Sequence, residues 1–235
     1  MNRVLSIDIG NTNTKFAIVG EDYYEYLGFI PSKTITEPFK FSIDIEDVKS
    51  CIISSVAPSK TKIISNYFEM NNVKPSFIPI DQGVGADLYA SMQYAKKYFD
   101  LPCIVFSLGT ATTCYVLDDE GEMQGGLIIP GIMPSIHSLS QETENLPEFI
   151  PKLTDKFLEF STIGAMNSGI IYGYAAMIDG LVNKVSEEYN IKTSALSGGM
   201  SPLISNYVQT PHILERDIVL KGAYIYYANT NANKE

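Results

Sequence analysis

The 235-residue sequence predicts an α/β fold built from two similar halves with a cleft between them. First, the stretch Asp8–Lys15 returns in altered form as Ser107–Thr113, so that Gly10 and Gly109 occupy matching places 99 residues apart. Second, an order of three strands, a helix, a strand and a helix occurs about twice. Third, 45% hydrophobic and 19% charged residues are typical of a globular protein, and the length suffices for a sizeable core.

The first half is assigned to residues 1–101. Short apolar runs predict its strands, and helical spacing of apolar residues, such as Ile63, Ile64, Tyr67 and Phe68, predicts its helices. The predicted elements are a hairpin over 1–19, strands over 23–29, 49–55 and 73–80, and helices over 59–71 and 86–99.

The second half is assigned to residues 102–235. Its long helix contains Gly164, Gly169, Gly173 and Gly180, and each glycine weakens an isolated helix by roughly 1 kcal/mol. Their number predicts close packing against another backbone, such as that of a partner subunit. The predicted elements are a hairpin over 103–117, strands over 122–129 and 192–197, and helices over 131–140, 161–189 and 217–227.

The charge balance limits the partners. A formal net charge of −10 repels nucleic acid and anionic membranes, so neither is an expected partner. The three cysteines, Cys51, Cys103 and Cys114, have no metal-binding spacing and two lie in strand-like runs, as expected of buried thiols in a reducing compartment. The N-terminus reads as a strand rather than a signal peptide, and no apolar run is long enough to cross a bilayer. We therefore expect a cytoplasmic protein.

The two glycine turns predict phosphate binding. A glycine among hydroxyl and amide side chains, between two strands, forms a tight turn whose backbone N–H groups can face an anion. One such turn alone is typical of an ordinary hairpin, whereas the repeated pair favours two loops that hold a polyphosphate. Neither of the common glycine-rich nucleotide motifs, GxGxxG and GxxxxGK[ST], is present.

Asp8 ends a buried strand and needs a partner there, because an unpaired buried charge is costly. Mg²⁺ on a nucleotide would supply one, since this ion shares oxygen ligands with phosphates. The alternative is an Asp that caps its own turn through Asn11 or Thr12. Lys15 either neutralises phosphate oxygens or is a solvated strand residue.

Asp87 follows Gly83-Val84-Gly85-Ala86 and begins a helix. An acidic residue in a first turn is ordinarily explained by the helix dipole. The functional alternative is a general base that accepts the proton of a substrate hydroxyl as it attacks phosphorus. Likewise Thr162 either caps the long helix or contacts a ligand, and Ser197–Gly199 either lets an adenine approach the backbone or forms a helix-entry turn.

Taken in order, several motifs resemble those of the type III pantothenate kinases over almost the whole chain. The family belongs to the superfamily of acetate and sugar kinases, Hsp70 and actin, so the resemblance implies duplicated actin-like, ribonuclease H-like domains. The motifs are Asp8-Ile-Gly-Asn-Thr, Gly85-Ala-Asp87, Gly109-Thr-Ala-Thr-Thr113, Gly125-Gly126 with Pro130-Gly131, Leu146-Pro147, Ser161-Thr162 with Ser168-Gly169, and Ser197-Gly-Gly199.

The resemblance implies a homodimer that transfers phosphate from ATP to pantothenate, the first step toward coenzyme A. It implies Asp87 as the general base and Asp8 as the residue that contacts Mg²⁺ through ATP. The other implied ATP contacts are Gly10, Asn11, Thr12, Lys15, Thr110, Gly198 and Gly199. The implied pantothenate contacts are Gly85, Ala86, Asp87 and Thr162.

Three positions depart from the family pattern, and the tyrosine that the family has several residues before the Gly-x-Asp motif has no counterpart in the shortened segment Pro79–Gly83. Leu88 replaces an arginine expected to hold the substrate, Ser107 replaces the aspartate that binds a monovalent cation (K⁺ or NH₄⁺), and Tyr115 replaces a second aspartate. Three functions therefore stay open. They are a pantothenate kinase with a divergent pocket, a kinase of another small alcohol, and a nucleotide-binding regulatory homologue without catalysis.

Overall fold

A computed structural model describes residues 3–41, 48–80 and 83–232. The chain forms two compact units. Unit 1 comprises Met1–Tyr98 and Asp217–Glu235, and unit 2 comprises Phe99–Arg216. The sequence assigned residues 99–101 to the first half and 217–235 to the second, whereas the structure groups each of these segments with the other unit.

Unit 1 contains a five-stranded mixed sheet in the order β3-β2-β1-β4-β5. The first three strands are antiparallel, and β4 and β5 run parallel to β1. The elements are β1 (Val4–Ile9), β2 (Asn13–Gly20), β3 (Tyr23–Pro31), a 3-10 turn (Ser32–Thr34), β4 (Ser50–Ser55), α1 (Pro58–Met70), β5 (Lys74–Phe77), α2 (Ala86–Tyr98) and α6 (Ile218–Ala232).

The sheet of unit 1 is covered on both faces because its central strands carry buried apolar residues on both faces. Alternate residues of a strand point to opposite faces. Ile7 and Ile53 therefore pack with Phe68 of α1, whereas Val4 and Ile52 pack on the opposite face, in a cluster with residues of α2 and α6.

Helices α2 and α6 are in close contact at a glycine. A Cβ atom on Gly222 would lie 1.9 Å from the backbone oxygen of Ala90. This approach explains why α6 packs with unit 1, although it follows unit 2 in the sequence.

Unit 2 repeats the topology of unit 1. Its sheet has the order β8-β7-β6-β9-β10, with three antiparallel strands followed by two parallel to β6. The expected duplicated α/β fold is thus confirmed. The elements are β6 (Cys103–Leu108), β7 (Ala111–Leu117), β8 (Met123–Pro130), α3 (Ile132–Gln141), α4 (Thr162–Tyr189), β9 (Thr193–Ser197), α5 (Ser201–Ile204) and β10 (Ile213–Leu214).

Three of the four α4 glycines do not approach another backbone in the described part of the chain. A Cβ atom on Gly169, Gly173 or Gly180 would meet nothing within 4 Å there, whereas one on Gly164 would lie 2.7 Å from the side chain of Ser161. At those three glycines, the described residues therefore do not make the expected packing.

The cysteines are as expected, since Cys51, Cys103 and Cys114 are all free and buried. Over the ranges that the structure describes, no helix has both the length and the apolar character that crossing a bilayer requires.

Candidate active site

Asp8 lies near the end of β1, on the face of the sheet that α2 and α6 cover. In the sheet, Asp8 lies directly opposite Lys15 on β2 and Ser54 on β4. The three side chains therefore project from one face. The Lys15 Nζ atom lies 3.7 Å from Asp8 Oδ2. Asp8 thus pairs with Lys15, and Lys15 is directed at this carboxylate rather than fully solvated.

Burial raises the pKa of Asp8 from 3.8 to about 6, because the charged form loses hydration. The Lys15 ammonium opposes this rise, whereas the negative charges of Asp87 and Asp217 add to it. Asp8, Asp87 and Asp217 therefore lie close enough for their charges to interact. Near neutral pH this cluster of carboxylates favours the binding of a cation.

The raised pKa predicts that Asp8 destabilises the folded protein as pH rises. The folded state holds the proton more tightly than the unfolded state, and this advantage is lost as pH passes from 3.8 through about 6. Between about pH 4 and about pH 7, the unfolding free energy of the wild type should fall by on the order of 3 kcal/mol more than that of Asp8→Asn. Urea unfolding of both proteins between about pH 4 and about pH 7 measures this difference, and parallel pH profiles would contradict it.

The start of α2 places Asp87 beside Gly85. The Asp87 Oδ1 atom accepts the N–H of Leu88 at 2.9 Å, and a Cβ atom on Gly85 would lie 2.7 Å from the same oxygen. Gly85 therefore leaves space for the carboxylate. The Ala86 side chain is buried in the core, so a substrate could contact this residue only through its backbone.

The first glycine turn connects β1 and β2. The Gly10 N–H donates to Asn13 O at 3.1 Å, so this amide is used within the turn. Asn11 and Thr12 are exposed at its tip. Anion binding therefore depends on the rest of the turn rather than on the Gly10 amide.

Unit 2 repeats this arrangement without its charges. Ser107 on β6 is register partner of Thr113 on β7 and of Ser197 on β9, the places that correspond to Asp8, Lys15 and Ser54. Three hydroxyls therefore stand where unit 1 has an ion pair and a serine. Tyr115, the other departure from the family pattern, is buried.

The second glycine turn exposes Thr110. As in the first turn, the glycine amide is used internally, because Gly109 N–H donates to Ala111 O at 3.0 Å. The exposed Thr110, rather than the glycine amide, is therefore the candidate ligand contact of this turn.

The two glycines after β9 differ in their surroundings. Gly198 has φ of +91°, and a Cβ atom on it would lie 2.6 Å from Leu108 O, so the fold itself requires glycine there. Gly199 is exposed, and a Cβ atom there would meet nothing within 4 Å of the described chain. Gly199 is therefore the more accessible of the two.

Thr162 is the first residue of α4. The N-cap is Ser161, whose Oγ accepts Gly164 N–H at 3.1 Å. Ser161 rather than Thr162 therefore caps α4, and Thr162 is exposed.

Asp8 suits a metal ion that is shared with a nucleotide. Within the described part of the chain, no three His, Cys, Asp or Glu side chains are grouped to hold a metal alone. A single buried carboxylate would complete the oxygen shell of Mg²⁺ carried by phosphates.

Sequence reasoning missed Ser32, Ser54 and Asp217. Ser54 is buried, and its Oγ has no hydrogen-bond partner among the described residues. Asp217 immediately precedes α6 and affects the pKa of Asp8. Only the strand register and the position of α6 bring Ser54 and Asp217 to Asp8, so no local motif indicated these two residues.

The family model of type III pantothenate kinase matches residues 4–184. A type III pantothenate kinase of Agathobacter rectalis is 28% identical over 97% of this chain and 98% of its own length. One from Syntrophobacter fumaroxidans is 31% identical over 98% of this chain and 99% of its own length.

Solved structures support the fold. A conserved protein from Campylobacter jejuni, assigned to the Baf family of transcriptional activators, has a TM-score of 0.61 at 21% identity, covering 97% of this chain and 100% of that one. The ethanolamine utilization protein EutJ from Carboxydothermus hydrogenoformans has a TM-score of 0.54 at 10% identity, covering 95% and 89%. With the sequence match over most of its length, this chain belongs to the type III pantothenate kinase family.

Proposed function

We propose that the protein transfers the γ-phosphoryl group of ATP to pantothenate, giving 4'-phosphopantothenate in the first step of coenzyme A biosynthesis. Family membership supports this assignment. The observation that carries it is the placement of both carboxylates in unit 1, Asp8 on the sheet face that α2 covers and Asp87 in the first turn of α2, where its charge raises the pKa of Asp8. A phosphate-side carboxylate and a candidate base therefore share one region.

In the proposed reaction the pantothenate hydroxyl oxygen attacks the γ-phosphorus. The new O–P bond forms, the bond from that phosphorus to the β–γ bridging oxygen breaks, and ADP leaves. The hydroxyl proton passes to Asp87, and because Oδ1 already accepts the Leu88 N–H, we expect Oδ2 to take it.

The chain's own residues would position ATP and its metal. Asp8 would hold Mg²⁺, which neutralises charge on the phosphates when bound. Lys15, Asn11 and Thr12 would contact phosphate oxygens. Gly10, whose N–H is used within the turn, would instead let a phosphate approach the backbone closely. In unit 2 we assign ATP contacts to Thr110, Gly198 and Gly199.

Substrate contacts are proposed at two places. Gly85, Asp87 and the Ala86 backbone would contact pantothenate in unit 1, and Thr162 would do so in unit 2. Leu88 replaces an ionic contact worth roughly 1.5–3 kcal/mol, so we expect weak affinity for the carboxylate of pantothenate. Ser107 offers a monovalent cation only a neutral oxygen.

We also propose that the enzyme is a cytoplasmic homodimer. Three free buried thiols fit a reducing compartment. Unit 2 exposes large apolar side chains next to a groove of about 420 Å³ on α4. Solvent exposure of such a patch favours an interface. The patch consists of Leu153, Phe157, Leu158, Phe160 and Ile163.

Phe160→Lys should dissociate this dimer. A charge within an apolar interface should weaken association by at least about 30-fold, as loss of a hot spot does. Analytical ultracentrifugation measures the change. Met70→Lys, at an exposed apolar position of unit 1, is the matched control and should leave the dimer intact. Equal sedimentation of both variants would contradict the interface.

A coupled assay with ATP, Mg²⁺ and pantothenate, with and without K⁺, tests the function. ADP release that depends on pantothenate supports it. Turnover of an uncharged alcohol in its place would favour the kinase alternative that Leu88 suggests. ATP binding by calorimetry without any turnover would instead indicate a regulatory homologue.

A further inference from the structure

Ser32, in the 3-10 turn after β3, contacts the first glycine turn at three points. Its Oγ donates to Gly10 O at 2.6 Å, its N–H donates to Thr12 O at 2.8 Å, and its Oγ lies 2.9 Å from Thr14 Oγ1. Ser32 is only 2% exposed and Thr14 is fully buried. These bonds are therefore protected from water.

The donors can be assigned because a hydroxyl has a single proton. Ser32 gives its proton to Gly10 O, so the Thr14 hydroxyl must donate to Ser32 Oγ. In a trans peptide the carbonyl and the following N–H point in opposite directions. With the carbonyls of Gly10 and Thr12 fixed toward Ser32, the N–H groups of Asn11 and Asn13 are directed away from it.

The second glycine turn shows that this arrangement is not a general requirement of the hairpin. Asn13 pairs with Pro31 in unit 1, and Ala111 pairs with Pro130 in unit 2, so Gly131 occupies the place of Ser32. A Cβ atom on Gly131 would lie 2.2 Å from Thr110 O, which excludes a side chain.

The residue that corresponds to Thr14 differs accordingly. Thr112 is buried, and its Oγ1 has no hydrogen-bond partner in the described ranges. The hydroxyl pair is thus particular to the turn that follows Asp8.

We propose that Ser32 is a positioning residue for phosphate binding, which orients the two peptide groups after Gly10 and Thr12 so that the N–H groups of Asn11 and Asn13 face the nucleotide. This inference rests on the proposed function, because it takes the ligand of the turn to be a triphosphate. Ser32 itself would not touch the ligand.

Calorimetric titration of wild type and Ser32→Ala with Mg-ATP and with adenosine tests the proposal. We expect the affinity for Mg-ATP to fall about tenfold, as for loss of a buried hydrogen bond, and the affinity for adenosine to stay unchanged. KM for ATP should rise while KM for pantothenate stays within about twofold. A residue that only stabilised the fold would lower the affinities for Mg-ATP and adenosine alike, and would raise the KM values for ATP and pantothenate alike.

Two further variants keep the test decisive. Thr34→Ala removes an exposed hydroxyl bonded to Pro31 O in the same 3-10 turn and should bind Mg-ATP as the wild type does. Thr14→Val keeps the side-chain shape, and we expect about threefold weaker ATP binding. If Ser32→Ala fails to fold, Thr14→Val carries the test. Combining both changes should cost no more than Ser32→Ala alone, because they remove one network.

Unchanged ATP binding by Ser32→Ala, or equal losses for ATP and adenosine, would overturn the proposal. A wild type that binds Mg-ATP but does not turn over pantothenate would refute the proposed function only. A wild type that binds no Mg-ATP would overturn both.

Discussion

Asp87→Asn should lower kcat by about 10²–10⁴-fold, the usual contribution of a general base. The amide keeps the size of the side chain but cannot accept the substrate proton. ATP affinity should not fall, because the change removes a negative charge that raises the pKa of Asp8. Steady-state kinetics with saturating ATP and pantothenate measures kcat, and calorimetry measures ATP binding.

Asp100→Asn is the matched control for this change. Asp100 is exposed just beyond the opposite end of α2. The substitution therefore removes the same charge, but at a position distant from the proposed base. We expect its kcat to stay within about twofold of the wild type. An Asp87→Asn variant with near wild-type kcat would remove Asp87 from the chemistry.

Gly222→Ala should destabilise unit 1 by about 3 kcal/mol or more. The added methyl group would lie 1.9 Å from Ala90 O and 2.7 Å from Ala90 C, so the backbones of α2 and α6 would have to separate. Overpacking against a flexible side chain costs less than a shift of two helices. Thermal unfolding should show a midpoint lowered by roughly 6–12 °C.

Gly180→Ala makes the same chemical change without a steric conflict. Gly180 is exposed on α4, and its added methyl group meets nothing within 4 Å of the described residues. Alanine is the better helix former, so we expect a gain of about 0.5–1 kcal/mol. If both variants unfolded at the same temperature, the contact between α2 and α6 would not be the stabilising feature that we infer.

Much of the fold follows from local sequence. Residues 1–19 combine two apolar runs with a glycine turn, which is sufficient to predict a hairpin, and β1 and β2 lie there. Helix α4 was predicted over 161–189 and spans Thr162–Tyr189, because its apolar periodicity extends over many turns. The duplication follows from the matched turns alone.

Other features depend on contacts between distant residues. The four residues of α5 and the two of β10 are too short to show a period. A helix at the C-terminus could be predicted, but not the sheet that it covers, since small residues such as Gly222 and Ala90 fit many partners.

The residues of the candidate site divide in the same way, into those that local sequence predicts and those that depend on contacts between distant residues. Asp8 and Lys15 are close in sequence, and the hairpin register makes them partners. Ser54 and Asp217 reach this region only through the parallel pairing of β4 and the position of α6. Ser32 had one sequence signal, since Pro31-Ser32 occupies the place that Pro130-Gly131 has in the repeat.

The return of the chain to unit 1 has a consequence for synthesis on the ribosome. Unit 2 is one continuous segment, Phe99–Arg216, whereas unit 1 needs residues from both sides of it. Domains usually fold in the order in which they are made. Here the half that is translated first must wait for its last helix, so the inserted half can complete its fold earlier. A nascent chain stopped before residue 218 would leave the face of the first sheet that α2 and α6 share only partly covered.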